Sequence, residues 1–172
     1  ARARLEIASG DEPTYLALSH SLEAGSYREI YRVGTPLHVQ YPPGYPIWLI
    51  FVRHATGERI ELIPAFNLAL VALTFAMIFA VARRLQPGWL ALALLLLLVL
   101  SHGMLWIGGS YYSEALFLFL STGALVATLR VEDVKQRSAF PAIILALLAF
   151  LTRSVGIAVL AAVGVWLWRR RL

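Results

Sequence analysis

Cysteine is absent from the 172-residue chain, which excludes disulfides and thiolate metal sites and leaves the redox compartment open. Charge is scarce as well: 15% of the residues are charged, against roughly 25% in an ordinary soluble domain. Its distribution is uneven. Between residues 62 and 129 only Arg83, Arg84 and Glu114 carry charge, and between 138 and 168 only Arg153 does. His20, His38, His54 and His102 show no ligand spacing and no Asp-x-Asp pair occurs, so no metal is expected. What fills the space is apolar: 59% of the residues are hydrophobic and the mean hydropathy is +0.71. Disorder and collagen-like repeats are excluded by that composition. Such a chain cannot hide its apolar surface from water by itself, so an all-α, polytopic integral membrane bundle is expected, because helices satisfy their own backbone groups in lipid.

The net charge of +5 invites a nucleic-acid reading until the basic residues are placed. Arg83-Arg84, then Arg130, Lys135 and Arg137, then Arg169, Arg170 and Arg171 each stand at the edge of an apolar run. That is the pattern of cytoplasmic helix ends, and it leaves no nucleic-acid partner. Residues 62–82 fit one outside-to-inside crossing. Gln86-Pro87-Gly88 reads as a tight turn, residues 89–106 as an unbroken return, and Gly108-Gly109-Ser110 as a helix break at the outer surface. A third crossing is expected over 113–129, followed by a cytoplasmic loop through Val131, Glu132, Asp133 and Lys135. Residues 138–168 are basic at both ends, so an even number of crossings is required, yet the stretch falls short of the about 40 residues that two full crossings need. Two short helices broken near Thr152-Arg153-Ser154 reconcile these constraints; one long tilted helix is the alternative.

The chain divides by composition into an extracytoplasmic loop, 1–61, and a transmembrane bundle, 62–172. Within the loop, Pro13 and Gly25 bracket a short helix whose face of Tyr15, Leu18 and Leu22 is expected to lie on the membrane surface. Tyr41-Pro42-Pro43-Gly44-Tyr45-Pro46 reads as extended backbone, and Ile47 to Val52 as a short dip into the interface.

Five motifs occur in a recognisable order. Gly10-Asp11-Glu12-Pro13-Thr14-Tyr15-Leu16, Ser21-Leu22-Glu23-Ala24-Gly25, Tyr41-Pro42-Pro43-Gly44-Tyr45-Pro46, Tyr112-Ser113-Glu114-Ala115-Leu116 and Leu151-Thr152-Arg153-Ser154-Val155-Gly156 resemble the amino-terminal half of the GT-C membrane glycosyltransferases. Closest are the bacterial relatives of protein O-mannosyltransferases and of lipid A aminoarabinose transferase. The resemblance implies transfer of a sugar from a polyprenyl-phosphate carrier to an acceptor glycan, lipid or protein, with inversion, on the outer face of a bacterial inner or plasma membrane. It implies no cofactor beyond the lipid-linked donor. The family has a helix before this stretch and several after it, so the sequence is expected to be part of a longer protein, with activity expected of that longer protein.

On this resemblance Asp11, in the outer loop, is the expected general base, with Glu12 and Glu114 as further catalytic carboxylates. Asp11 has a competing use as a helix cap, and Glu12 one as a first-turn acid. Glu114 replaces the shorter Asp common in relatives. Arg153, where several relatives have Lys, is expected to bind the carrier phosphate, with Arg28 and Arg32 as further candidates. A membrane transporter or lipid-binding scaffold would share the bundle, the broken hairpin and the embedded arginine. The acidic, proline-rich outer loop favours the enzyme.

Overall fold

The computed structural model describes residues 11–133 and 138–170, with the backbone alone for 131–133 and 170. Gly10, Lys135, Arg137 and Arg171 lie outside the described residues. Among the described residues the regular elements are helices, with one isolated bridge between Arg28 and Leu37 in the non-helical stretch 24–43. In chain order the helices are α1 (Glu12–Glu23), α2 (Gly44–Thr56), α3 (Ile63–Leu85), α4 (Gly88–Val99), α5 (His102–Gly109), α6 (Glu114–Asp133), α7 (Phe140–Thr152) and α8 (Ile157–Arg170), with 3-10 turns at Ile60–Leu62 and Ser154–Gly156.

Local chemistry sets most of these ends. Pro13 begins α1 and Gly25, at φ 76°, turns the chain beyond it, a conformation that glycine adopts without steric cost. Arg83 and Arg84 close α3. The apolar run predicted over 89–106 is instead broken at Leu100-Ser101, and α4 and α5 meet at a bend of 58°. Ser101 takes extended backbone there, while its carbonyl accepts from the amides of Met104 and Leu105 and so starts the next helix. The loop expected at Val131 to Asp133 is instead the last turn of α6, which runs on to Asp133.

The loop segment departs most from expectation. Tyr41 to Pro46 does not stay extended: Pro43 is the residue before α2, and Pro46 falls in its first turn, where a missing N–H breaks no helical hydrogen bond. Ile47 to Val52 is therefore the middle of a helix. Its buried residues Tyr45, Leu49, Val52 and Arg53 lie at the spacing of one helical face. Tyr15 of α1 shares a core cluster with Tyr45, Leu49 and Val52, so this face of α1 is covered by α2 rather than by a membrane surface. Arg53 pins the two helices together, donating to Ser19 Oγ at 3.2 Å and pairing with Glu23 at 3.1 Å and Glu58 at 2.7 Å.

Residues 138–168 form two helices packed on each other. Ala142 and Ala146 of α7 share a buried cluster with Val163 of α8 and Ala124 of α6. One straight helix would hold Ala142 and Val163 about 30 Å apart, so the chain folds back at Arg153, as the pairing of short helices predicts. The C-termini of α3, α6 and α8 and the start of α7 gather at one end of the bundle, which is basic. The starts of α3 and α6, the end of α7 and the outer helices α1 and α2 occupy the other.

Among the described residues one helix, Ile60–Leu85, is long and apolar enough to cross a membrane, and α4 with α5 makes a second if the bent pair is one span. The apolar surface left outside the core is large. Ala91 is the one buried residue of α4, whereas Leu97 is 71% and the adjoining Leu100 75% exposed.

Candidate functional site

Asp11 stands at the N-cap position of α1, but its carboxylate makes no capping hydrogen bond. It lies instead against the hydroxyl of Tyr41. Tyr41 is held in turn by His38, whose ring stacks on it at 5.2 Å and whose Nε2 accepts from the Tyr41 amide at 2.9 Å. With Nε2 accepting, the proton of His38 sits on Nδ1 and is donated to Glu29 Oε1 at 3.0 Å. The first turn of α1 also reaches far along the chain, since Glu12 Oε1 accepts from the backbone N–H of Tyr111 at 2.9 Å.

Tyr15, one turn further on, is the hub. Its ring packs on Tyr41 at 4.9 Å and meets Tyr45 edge-on at 5.1 Å. Its hydroxyl is 3.2 Å from Ser113 Oγ. Ser113 Oγ accepts in addition from Arg153 Nη1 at 3.3 Å, and Arg153 forms an ion pair with Glu114. Arg153 and Glu114 are each about one-third exposed, 34% and 33%. Glu114 Oε2 is nevertheless buried without a hydrogen-bond partner among the described residues. Arg153 reaches this position because α7 ends at Thr152 and Arg153 itself takes extended backbone, φ −147° and ψ 137°, before the next turn.

Burial pushes the hydroxyls of Tyr15, Tyr41 and Tyr45 above the ordinary tyrosine range, and at Tyr41 the Asp11 carboxylate adds to the effect. Tyr111 and Tyr112 are raised likewise, by desolvation first and then by Glu12, with Asp11 and Glu114 also acting on Tyr112. These tyrosines therefore remain protonated donors at physiological pH. Of the three carboxylates gathered here, Asp11, Glu12 and Glu114, Asp11 is the exposed one, and the His38 imidazole is buried and engaged at both nitrogens.

Three segments distant in sequence thus meet at one end of the bundle, bringing Asp11, Glu12, Glu114 and Arg153 around Tyr15. Arg28 and Arg32 are engaged within the loop between α1 and α2. Arg28 Nη1 donates to the Thr35 carbonyl at 3.0 Å, and Arg32 pairs with Glu29 at 2.7 Å. Among the described residues no three His, Asp or Glu side chains converge as a metal site.

Several contributors carried no assigned role in the sequence. Ser113 joins Tyr15 to Arg153, and its place directly before Glu114 was the available signal. Asn67, fully buried in α3, donates to the Tyr45 hydroxyl at 3.1 Å and to the Ser110 carbonyl at 2.7 Å. It ties α2 and the α5–α6 loop to the first long helix. Gly44 sits so close to α7 that a Cβ there would lie 2.5 Å from the Leu151 carbonyl oxygen and 2.8 Å from the Thr152 amide. That contact fixes the Tyr-Pro-Pro-Gly motif against the break that carries Arg153. Gly44→Ala is accordingly expected to lower thermal stability by roughly 1–3 kcal/mol, the usual cost of overpacking, read as a fall in melting temperature. An unchanged melt would mean that α2 does not approach α7 this closely.

Comparison with models of known protein families, with curated proteins and with solved structures gives no match.

Proposed function

We propose that the chain is part of an integral membrane glycosyltransferase of GT-C type, which moves a sugar from a polyprenyl-phosphate donor to an acceptor hydroxyl on the outer face of the membrane. The observation that carries this reading is the convergence around Tyr15 of the Asp-Glu-Pro, Tyr-Pro-Pro-Gly, Ser-Glu and Thr-Arg-Ser segments, up to 98 residues apart across the Tyr15–Ser113 bond alone. The membrane part rests on the uncovered leucines of α4 and on a long apolar helix, Ile60–Leu85, whose most apolar window is 28% buried. A core helix of a soluble protein would be mostly covered.

In this reading the acceptor oxygen attacks the anomeric carbon as its proton passes to the Asp11 carboxylate. The bond from that carbon to the phosphate oxygen breaks, and the carrier phosphate leaves as an anion. A single displacement inverts the anomeric centre. The departing phosphate needs cationic donors more than a proton, and Arg153 offers a planar fork of N–H groups. Glu114 and Ser113 fix the direction of that fork from one side. Glu12 is held by the Tyr111 amide and anchors the first turn of α1, so that Asp11 keeps its place beside Tyr41.

The orientation is testable because the chain has no cysteine of its own. Gly109 and Gly88 are exposed at opposite ends of the bundle, and nothing lies within 4 Å of a Cβ at either. In intact cells Gly109→Cys is expected to react with an impermeant maleimide, and Gly88→Cys only after permeabilisation. The reverse pattern would place the site on the inner face and defeat transfer from an outward-facing carrier.

A further inference from the structure

The loop between α1 and α2 is built around a buried histidine that the transfer chemistry above leaves unused. His38 is 6% exposed, with Nδ1 toward Glu29 Oε1 and Nε2 accepting from the Tyr41 amide. Glu29 is fixed in its turn. Arg32 pairs with its other oxygen at 2.7 Å, and its backbone N–H donates to the Pro36 carbonyl at 2.9 Å. Tyr27 meets the His38 ring edge-on at 5.5 Å and donates its hydroxyl to the Tyr41 carbonyl at 2.9 Å. Tyr41 is thus held by its amide, by its carbonyl and by ring contacts with His38 and Tyr15. What these contacts aim is the Tyr41 hydroxyl. It accepts from Gln40 Nε2 at 3.1 Å, and its own proton is directed to the Asp11 carboxylate. A hydroxyl that accepts on one side donates more strongly on the other.

A general base works only within hydrogen-bond reach of the proton it takes, and a misplacement of about 1 Å can cost about 100-fold. Asp11 precedes α1 without a capping bond to fix its rotamer. A donor anchored as firmly as the Tyr41 hydroxyl supplies what the cap does not. We infer that Tyr41 is a positioning residue for the base: its hydroxyl holds one Asp11 oxygen so that the other faces the acceptor, and His38, oriented by Glu29, holds Tyr41. This inference rests on the role proposed above for Asp11. The plainer alternative is that Glu29, His38 and Tyr41 only knit the loop, in which case they govern stability and not turnover.

The test measures kcat and KM for the full-length protein in detergent, with polyprenyl-phosphate mannose and polyprenyl-phosphate arabinose as donors and extracted native membrane as acceptor. Uptake of polyprenyl monophosphate and melting temperature are followed beside them. Tyr41→Phe keeps the ring and removes the donor. It is expected to lower kcat about 10-fold, with KM for the donor, carrier uptake and melting temperature near wild type. His38→Asn keeps a donor for Glu29 and loses the acceptor for the Tyr41 amide, so kcat should fall likewise. His38→Gln, whose side-chain oxygen reaches the place of Nε2, should restore part of it. Because Tyr41 acts through Asp11, Tyr41→Phe should cost nothing further in an Asp11→Asn background. Wild-type kcat in Tyr41→Phe, or losses that multiply in the double variant, would overturn the inference even where His38→Asn fails to fold. Wild-type turnover in Asp11→Asn, or no transfer from either donor, would instead overturn the reading beneath it, so the two failures are distinguishable.

Discussion

Asp11→Asn in the full-length protein is expected to lower sugar transfer by roughly 100-fold or more, the scale of a positioned general base, while leaving carrier binding and thermal stability close to wild type. The structural reason is the contrast between Asp11 and its neighbours. Its carboxylate makes no capping bond to α1, so the helix loses no hydrogen bond when the charge is removed, and a dipole interaction of at most about 1 kcal/mol. The tyrosines around it hold their protons too firmly to act as bases. Glu12 accepts from the Tyr111 amide, and Glu114 is paired with Arg153. Asn keeps the shape of Asp and its contact with Tyr41, but cannot take a proton from an acceptor hydroxyl. Turnover near wild type in a transfer assay with a polyprenyl-phosphate sugar would remove Asp11 from the chemistry.

Arg153→Met is the second large effect, and its two readouts separate a binding role from a structural one. If the guanidinium meets the carrier phosphate, transfer falls by about 100-fold or more, the cost of losing one donor to a developing oxyanion. Arg153→Lys then recovers part of the activity, since Lys keeps the charge without the fork. The Glu114 ion pair is lost in Arg153→Met as well. Because both partners are one-third exposed, solvent screens the pair and the stability loss should stay within about 1 kcal/mol. A melt that collapses while the residual folded protein binds polyprenyl phosphate normally would make Arg153 a structural ion-pair residue.

Much of the scaffold could be read from local punctuation. Pro13 and Gly25, Arg83-Arg84, Gln86-Pro87-Gly88, Gly108-Gly109-Ser110 and Arg153 each mark a helix end where the structure has one. The pairing of α7 with α8 followed from run length taken together with the basic residues at both ends of the run. What escaped was tertiary in origin. The prolines of Tyr-Pro-Pro-Gly-Tyr-Pro argued for extended backbone, and their tolerance in a first helical turn prevailed; the i, i+4, i+7 spacing of Tyr45, Leu49 and Val52 was the signal for α2. The break at Leu100-Ser101 was passed over although Ser101-His102-Gly103 marks it, Ser101 being the N-cap residue of α5, because the apolar residues on either side read as one run. That the Tyr15 face meets α2, that Asn67 bridges three elements and that Gly44 touches Leu151 depend on partners that no window of sequence contains. The candidate carboxylates and Arg153 were legible through motif order; their meeting point at Tyr15 and Ser113 was not.

The central claim, that these segments form one site for a lipid-borne phosphate, is tested most directly by carrier binding. Full-length protein in detergent, titrated with polyprenyl monophosphate and followed by native mass spectrometry, is expected to take up one carrier and to discriminate against a polyprenol of the same length lacking the phosphate. The uptake should persist in Asp11→Asn and be lost in Arg153→Met. Equal uptake of polyprenol and its phosphate, or full uptake by Arg153→Met, would contradict the account.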